Sequence, residues 1–520
     1  MADILQIGIS GLRASQSALT VTGHNITNAN TEGYSRQVLS QSTTSPQAQG
    51  GVWVGTGVSV DAVSRIYDKF LTEQLWRDSS TFNKFETLAN NAEQINSLLA
   101  DANTGIQPGL EKMFGALQTV ADSPASLAAR AVLLSESQGL VDRFHLISDR
   151  LSSQNTVVNG QLKVIAGEIT EKAKAIAQLN EQIAFASASA QGNKPNDLLD
   201  RRDQLVKDLS ELVDLKVVEQ DDGIWNITIG NGQPLVVGIE SRTLKAASGS
   251  SDATRLDLFF ETERGDQQVT GSISGGKLGG ILDFRNQVLE PTYNELGRLA
   301  LVINQTFNEQ HKLGIDYDGR QGVDYFTDIN EPVKTYGRVL SDGGNKQPQD
   351  RVVSVYINDA SVLTTSDYRV EFPGPDDFSY RIVRASDNQL MLTSSLNGVF
   401  PNSIEVDGFE IRFEAGTFQS GDKFLITPTR NGAAELELNI TRGEQIAMAS
   451  PIKSDATLGN RGNAKITQPT VYNSGTQFFS EQGELKPPLI VVFTSPTTYD
   501  VLDNSDPGRP VPLFPPITNQ

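Results

Sequence analysis

The first 37 residues constrain this chain more than any other part of it, because an amphipathic helical pattern runs directly into an asparagine-rich segment. Large apolar residues recur seven positions apart, with one more in between, and form the seam Leu5, Ile9, Leu12, Leu19 and Ile26. A helix with so narrow an apolar seam resembles a coiled-coil strand and gains little stability when it stands alone. The sequence therefore predicts a helix ordered by packing, either against its own domain or against other subunits.

Polar residues end this helix and predict a turn. The characteristic positions are Asn25, Asn28, Asn30, Thr31, Gly33, Tyr34 and Arg36. Asparagine side chains compete for backbone hydrogen bonds and tolerate left-handed conformations, so a helix is expected to stop here. Gly33 then permits a turn with a positive φ angle.

Two blocks in this region carry a family resemblance. The opening Ser10-Gly11-Leu12 and the pattern Asn-x-x-Asn-x-Asn-Thr-x-Gly-Tyr at 25–34 resemble the N-terminal signature of flagellar axial proteins, the rod, hook and hook–filament junction components. The ending Tyr34-Ser35-Arg36-Gln37 resembles the FlgK family of hook-associated proteins. Residues 179–183, 195–203 and 278–310 also resemble the helical region of that family, so the likeness extends from residue 1 to about residue 324.

The resemblance implies a structural role at the junction between hook and filament. N-terminal helices of many subunits would pack into a tubular layer by heterologous association, in which one surface meets a different surface of the next subunit. The implied partners are further copies of the chain, the flagellar hook protein, the second hook–filament junction protein and the export apparatus. The implied location is the extracellular flagellum. A hook or rod protein of the same superfamily is an alternative.

Composition limits the remaining function classes. The chain has 520 residues, which predicts several domains, and a formal net charge of −20, which argues against binding to nucleic acid. It has no cysteine and no run of eighteen apolar residues, so neither a disulfide framework nor membrane insertion is expected. The N-terminus lacks the basic and apolar regions of a cleavable signal peptide, which predicts export without one.

Periodicity predicts a multidomain α + β fold in four parts. These are an N-terminal coiled-coil-like helix and turn at 1–40, a linker at 41–64, a helical domain at 65–324 and a β-rich outer region at 325–520. The linker is expected to hold one short extended piece near 57–62. Within the helical domain, a heptad seam at Leu162, Ile169, Ile176 and Ile183 predicts a long-helix bundle inside the chain, with a β excursion near 215–275. The outer region is expected to be mainly antiparallel.

Three sequence features resemble catalytic or ligand-binding motifs, but each is more simply explained as ordinary structure. Residues 271–277 have the spacing of a phosphate-binding loop, but Leu278 occupies the position of the magnesium-binding hydroxyl. Residues 316–319 resemble a calcium loop that lacks its later ligands. His24, His145 and His311 lie in unrelated contexts. We therefore expect no enzyme and no catalytic, cofactor-binding or metal-binding residue.

Two other function classes stay open on sequence alone. An exported cell-wall hydrolase would need a carboxylate pair, and the 63 acidic residues do not single one out. A secreted adhesin could use the β-rich region, although it would leave the N-terminal signature unexplained. The proline-rich stretch 496–520 also cannot form the terminal helix that the resemblance implies, so we expect an incomplete outer region.

Overall fold

The computed structural model describes residues 4–101, 105–189, 194–220, 223–376, 378–460, 466–474, 476, 479, 486–515 and 517–518. The α-helices in these ranges are α1 (Ile4–Thr27), α2 (Lys69–Leu99), α3 (Ile106–Asp122), α4 (Leu127–Ser189), α5 (Asn196–Leu212), α6 (Gly276–Phe284), α7 (Glu290–Lys312) and α8 (Pro332–Gly337). A π-helical turn, Arg285–Leu289, links α6 to α7.

Strands occur in three groups along the chain. The first group is β1 (Gln37–Thr43), β2 (Gln47–Gln49), β3 (Val52–Val54) and β4 (Val58–Arg65). The second is β5 (Leu215–Glu219), β6 (Trp225–Ile229), β7 (Gln233–Val237), β8 (Glu240–Ser241), β9 (Leu244–Ser248), β10 (Leu256–Thr262) and β11 (Gly265–Gln268). The third is β12 (Val339–Ser341), β13 (Val352–Ile357), β14 (Tyr368–Glu371), β15 (Ser379–Arg384), β16 (Leu390–Ser395), β17 (Asn402–Val406), β18 (Phe409–Ala415), β19 (Lys423–Ile426), β20 (Leu489–Phe493), β21 (Thr498–Asp503), β22 (Val511–Pro512) and β23 (Ile517–Thr518).

The chain forms two compact units that do not follow the four predicted segments. Unit 1 contains residues 1–94, 154–249 and 253–289, and unit 2 contains residues 95–153, 250–252 and 290–520. The helices α2 and α4 are each continuous across a boundary between the units, so the division falls inside helices. Hydrophobic periodicity does not reveal such a boundary, because the helical pattern is unbroken there.

Unit 1 has its core between α4, α5 and the second group of strands. The predicted heptad seam is buried here, with Leu162, Ile169, Ile176 and Ile183 all at most 2% exposed. This agrees with a helical bundle inside the chain. The strands β5 to β8 form one antiparallel sheet, and β9 to β11 form another. Their inward side chains, such as Ile227 on β6, are fully buried.

The predicted linker at 41–64 is instead a pair of hairpins. Strands β1 and β4 pair antiparallel along their whole length, from Gln37 opposite Arg65 to Thr43 opposite Val58. The small hairpin of β2 and β3 lies between them. Serine, threonine and glutamine dominate the strand β1, so its sequence lacks the alternating apolar residues by which strands are recognised. Only the extended piece near 57–62 was predicted.

The segment that imitates a phosphate loop forms a tight corner in unit 1. Gly276 has φ +56°, and a Cβ atom there would lie 2.2 Å from the backbone of Leu212 and Val213. The carbonyl oxygen of Ser272 accepts a hydrogen bond from the backbone N–H of Asn231 at 2.9 Å. The glycines therefore let two backbone segments meet at the start of α6, which is a structural role.

Unit 2 combines helices with two antiparallel sheets. One sheet has the order β12-β19-β14-β15-β16 and the other β13-β18-β17. Aromatic residues fill the core that they share, where Phe372 packs against Tyr380, Phe413 and Phe418 with ring centroids 5.3–6.2 Å apart. The strands of both sheets pair antiparallel, as the sequence predicted for this region. The strands β17 and β18 are separated by a tight turn in which Asp407 has φ +41°.

Within the described residues, none of the helices has the length and hydrophobicity needed to cross a membrane.

Candidate assembly site at helix α1 and the following turn

Helix α1 has two faces with different environments. Its small and polar face packs on β1 and β4, with Ala14 only 3% exposed at its centre. Ser10 on this face accepts a hydrogen bond from the backbone N–H of Val58 at 3.3 Å. A Cβ atom at Gly57 would lie 2.4 Å from the Ser10 hydroxyl, so the helix approaches the hairpin closely. Small side chains thus allow α1 to dock on its own unit.

The α1 seam (Leu5, Ile9, Leu12, Leu19 and Ile26) lies on the opposite face. At 3.6 residues per turn, Leu12 and Leu19 are more than a third of a turn away from Ala14. The five seam residues are between 45% and 73% exposed. The helix therefore docks on its own unit with its small face, while the seam remains open along the length of the helix.

The signature turn (residues 25–37) is organised around Asn25. Its Oδ1 atom accepts hydrogen bonds from the Tyr34 hydroxyl at 2.7 Å and from the backbone N–H of Gln37 at 2.9 Å. Its Nδ2 atom donates to the carbonyl oxygen of Gln37 at 2.9 Å. The side chain thus pairs with Gln37 as a neighbouring strand would. An asparagine is required because the site needs both an acceptor and a donor.

The remaining turn residues close the loop between α1 and β1. Asn28 Nδ2 donates to the carbonyl oxygen of His24 at 3.0 Å, and the backbone N–H of Thr31 donates to the Asn28 carbonyl at 2.9 Å. The Tyr34 hydroxyl lies 3.1 Å from His24 Nδ1. Gly33 has φ +80°, an angle that glycine adopts without strain, and a Cβ atom there would lie 2.9 Å from Gln204 Oε1.

Carboxylates on α5 hold the far side of the turn. Asp200 Oδ2 accepts from the backbone N–H of Ser35 at 2.9 Å, and Asp197 Oδ1 accepts from Gln37 Nε2 at 2.9 Å. Arg65, at the end of β4, donates to Asp200 Oδ1 at 2.8 Å and to Asp203 Oδ2 at 2.5 Å. The turn and the hairpin are therefore fastened to one helix of unit 1.

Burial changes the acid–base behaviour of this cluster. It raises the pKa of Asp203 to about 6, although the adjacent Arg65 guanidinium favours the charged carboxylate. It also lowers the pKa of Arg202, on the same helix, to about 10. The Arg202 guanidinium stacks on Trp225 at 3.8 Å and donates to Asn180 Oδ1 at 3.0 Å. The charged groups of Arg202 and Asp203 are buried among fixed partners, so we interpret this cluster as a structural support for the turn.

The structure brings most of the predicted turn residues into contact with one another, but the side chains of two of them point to solvent. Asn30 is exposed, and so is the side chain of Arg36, whose backbone carbonyl accepts from Ile66 N at 2.9 Å. Sequence reasoning missed Arg65, Asp197, Asp200 and Asp203 as the supports of the turn. The available sequence signal was the spacing of three acidic residues, three positions apart on one predicted helix. This pattern resembled the family, but it did not indicate which residues the carboxylates contact.

The calcium-loop-like turn at 316–319 and two of the histidines form hydrogen bonds within the chain. The side chain of Asp316 accepts a hydrogen bond from the backbone N–H of Arg320 at 2.8 Å, as in a simple turn. His145 bonds to the Leu436 carbonyl at 2.9 Å. His311 contacts the carbonyl oxygen of Val323 and the backbone N–H of Ala447. In the part of the chain that the structure describes, no three His, Cys, Asp or Glu residues are grouped to hold a metal ion.

Comparison with protein-family models assigns most of the chain. The model described as "Flagellar hook-associated protein FlgK helical domain" matches residues 92–326. The model described as "Flagellar hook-associated protein 1, D2-like domain" matches residues 340–428. The model described as "Flagella basal body rod protein" matches residues 5–34, which include most of α1 and the turn.

Whole-chain relatives agree with these assignments. The flagellar hook-associated protein 1 of Salmonella typhimurium is 35% identical over 460 residues, which cover 88% of this chain and 80% of that protein. The Escherichia coli protein of the same name is 33% identical over 469 residues, covering 90% of this chain and 83% of that protein. The solved structure of the flagellar hook junction protein FlgK from Burkholderia pseudomallei is 28% identical, with a TM-score of 0.70, and covers 85% of this chain and 80% of that chain.

The fold and these matches define a structural protein of the bacterial flagellum. The chain belongs to the FlgK family, flagellar hook-associated protein 1. It is accordingly a component of the hook–filament junction, as the signature had predicted.

Proposed function

We propose that the α1 seam is the surface by which this protein joins its neighbours at the junction. One observation carries the proposal, namely that α1 docks on unit 1 through its small face and leaves Leu12 and Leu19 more than 70% exposed. Exposed apolar surfaces of this extent are typical of interaction sites. Burial of each Leu or Ile side chain contributes about 1.5–3 kcal/mol, so packing of the whole seam strongly favours assembly.

The signature turn gives this seam a fixed direction. Asn25 and Asp200 connect the end of α1 to β1 and α5 through hydrogen bonds of 2.7–2.9 Å. A mobile helix would lose orientational freedom on assembly, which costs free energy. Because the turn already holds α1, that cost is reduced. We therefore assign a supporting role to the turn and the contacting role to the seam.

The proposed partners follow from the junction role. Neighbouring copies contact the seam, the hook protein lies on the cell-proximal side, and the second hook–filament junction protein lies on the distal side. Such a protein adapts two tubes of different mechanical properties to each other. It reaches this position through the flagellar export apparatus without removal of a signal peptide. No catalytic activity is part of the proposal.

Substitution at Leu12 tests the role of the seam. Leu12→Asp places a charge in a packed interface, where an unpaired charge costs several kcal/mol, whereas Leu12→Ile keeps an apolar side chain. We expect Leu12→Asp to abolish filament assembly and swimming in a strain that carries it as the only copy, and Leu12→Ile to support both.

A matched control separates assembly from general damage. Val333 on α8 is 84% exposed, so Val333→Asp introduces the same charge at an exposed apolar position outside the seam. We expect it to leave swimming intact. Normal filaments with Leu12→Asp would refute the seam as an assembly surface, provided that electron microscopy shows junctions containing the variant.

A further inference from the structure

A second exposed apolar surface lies on α2 in unit 1. It is formed by Leu71, Leu75, Phe82 and Phe85, and we call it the α2 stripe. These side chains are between 51% and 64% exposed. Their positions, together with Asp78 and Ala89, alternate by four and three residues, which is the spacing of a helix that packs lengthwise against another helix. The opposite face of α2 in unit 1, with Trp76, Ser80 and Asn91, is buried.

The exposed face of α4 in unit 1 has gaps where the α2 stripe has large side chains. Val157, Gly160, Val164 and Gly167 follow the same alternation, and we call them the α4 groove. Both glycines have open space at the position of a Cβ atom, and both valines are about half exposed. A glycine inside a helix costs roughly 1 kcal/mol relative to alanine, and among the described residues nothing outside the helix backbone lies within 4 Å of the Cβ position of either glycine. The groove therefore has room for large side chains of another helix.

The two surfaces match in size and spacing. Leu75 and Phe82 are seven residues apart, or about 10.5 Å along the helix, and so are Gly160 and Gly167. Large side chains at one spacing can therefore enter gaps at the same spacing, as in knobs-into-holes packing.

The α2 stripe and the α4 groove are also complementary in charge. Asp78 lies between Leu75 and Phe82 in the α2 stripe, and it has no ion pair among the described residues. A carboxylate that is covered without a cation costs several kcal/mol, so any partner of the stripe must supply one. Lys163 lies between the two glycines of the α4 groove, is exposed and likewise has no ion pair in the described ranges.

We propose that the α2 stripe of one copy packs into the α4 groove of a second copy, with Asp78 of one chain beside Lys163 of the other. The inference rests on the proposed function, since it adds a second contact between neighbouring copies in the junction. The contact is heterologous, because two different surfaces meet, and so it can continue from copy to copy around a ring.

Disulfide cross-linking tests this contact cleanly, because the native chain has no cysteine. The variant carrying both Asp78→Cys and Lys163→Cys is expressed as the only copy, and purified hook–filament structures are oxidised and run on a non-reducing gel. We expect a ladder of dimers, trimers and larger species. Each single cysteine variant should give monomer only, and so should the control pair Asp78→Cys with Glu240→Cys, since Glu240 is exposed on β8 elsewhere in unit 1.

Two outcomes would overturn the proposal. Dimers formed by Asp78→Cys alone would show that the stripe meets its own counterpart. Monomers only from the double variant, in filaments that assemble normally, would show that the two surfaces do not meet. The latter result leaves the α1 seam untouched, since that surface is tested separately by Leu12→Asp.

Charge reversal gives an independent measurement if the cysteine variants fail to assemble. Asp78→Lys and Lys163→Asp should each reduce swimming-halo diameter at least twofold, and the double reversal should restore it. Both positions are exposed, so neither change disturbs the fold of the free chain. Equal halos for all four strains, or a double reversal no better than the singles, would contradict the contact.

Discussion

Removal of the Asp200 carboxylate should loosen the support of the signature turn measurably. Asp200 is 6% exposed and accepts one hydrogen bond from Ser35 N and one from the Arg65 guanidinium. Hydrogen bonds that involve charged groups contribute about 1.5–3 kcal/mol each, and Arg65 keeps a second partner in Asp203. We therefore expect Asp200→Ala to lower the free energy of unfolding of unit 1 by about 3 kcal/mol.

Tryptophan fluorescence provides the assay, because all three tryptophans, Trp53, Trp76 and Trp225, belong to unit 1. Urea denaturation followed at this signal gives the stability of the unit that holds the turn. Asp208→Ala is the control on the same helix, since Asp208 is 34% exposed and forms a partly exposed ion pair with Lys172, and it should cost less than about 1 kcal/mol. If both variants lose the same small amount, the carboxylate does not support the turn.

Three further changes have expected outcomes. Gly33→Ala should destabilise unit 1 by about 1–2 kcal/mol in the same urea assay, because φ is +80° there, and Gln204→Ala should not restore that loss. Burial lowers the pKa of His311, so its neutral form stabilises unit 2 at neutral pH, and this contribution should be lost as the pH falls below about 6.5. Thermal unfolding between pH 5 and 8 should show a shallower acid loss for His311→Gln. Arg65→Lys should destabilise unit 1 by about 1 kcal/mol in urea, because the Arg65 guanidinium stacks on the Tyr67 ring at 4.4 Å and an ammonium cannot reproduce that planar stacking.

The sequence predicted the elements whose side chains follow a simple period. The heptad seam from Leu162 to Ile183 lies buried in α4, and the strands β5 to β11 lie within the β excursion predicted near 215–275. These patterns arise from burial of one face, which depends on neighbours along the chain.

The hairpins at residues 37–65 could not be predicted in the same way. Their stability comes from backbone pairing and from α1, whose small residues cover β1 and β4. A periodic pattern cannot show which face of α1 meets that surface. The apolar seam suggested the buried face, whereas the structure buries Ala14 and leaves Leu12 exposed. This open seam is the surface that we propose for contact with neighbouring copies.

The supports of the turn depended on contacts between distant residues. Ser35 and Asp200 are 165 positions apart, and Arg65 and Asp203 are 138 apart. Ser35, Asp200 and Asp203 lie in the segments that carry the family resemblance, but no local rule pairs an arginine at the end of a strand with an acidic residue on a later helix. The unit boundaries inside α2 and α4 could not be predicted either, because the helical periodicity does not change at those positions.

The accessibility of residue 12 before and after assembly tests the central claim most directly. With no native cysteine, Leu12→Cys places a single thiol on the α1 seam, and Val333→Cys places one on α8 as a control. We predict that maleimide labels both variants in the free chain, and that in isolated hook–filament structures only the thiol at position 333 remains reactive. Equal labelling of position 12 in the free and assembled states would contradict the account, because the seam would then be open in the junction.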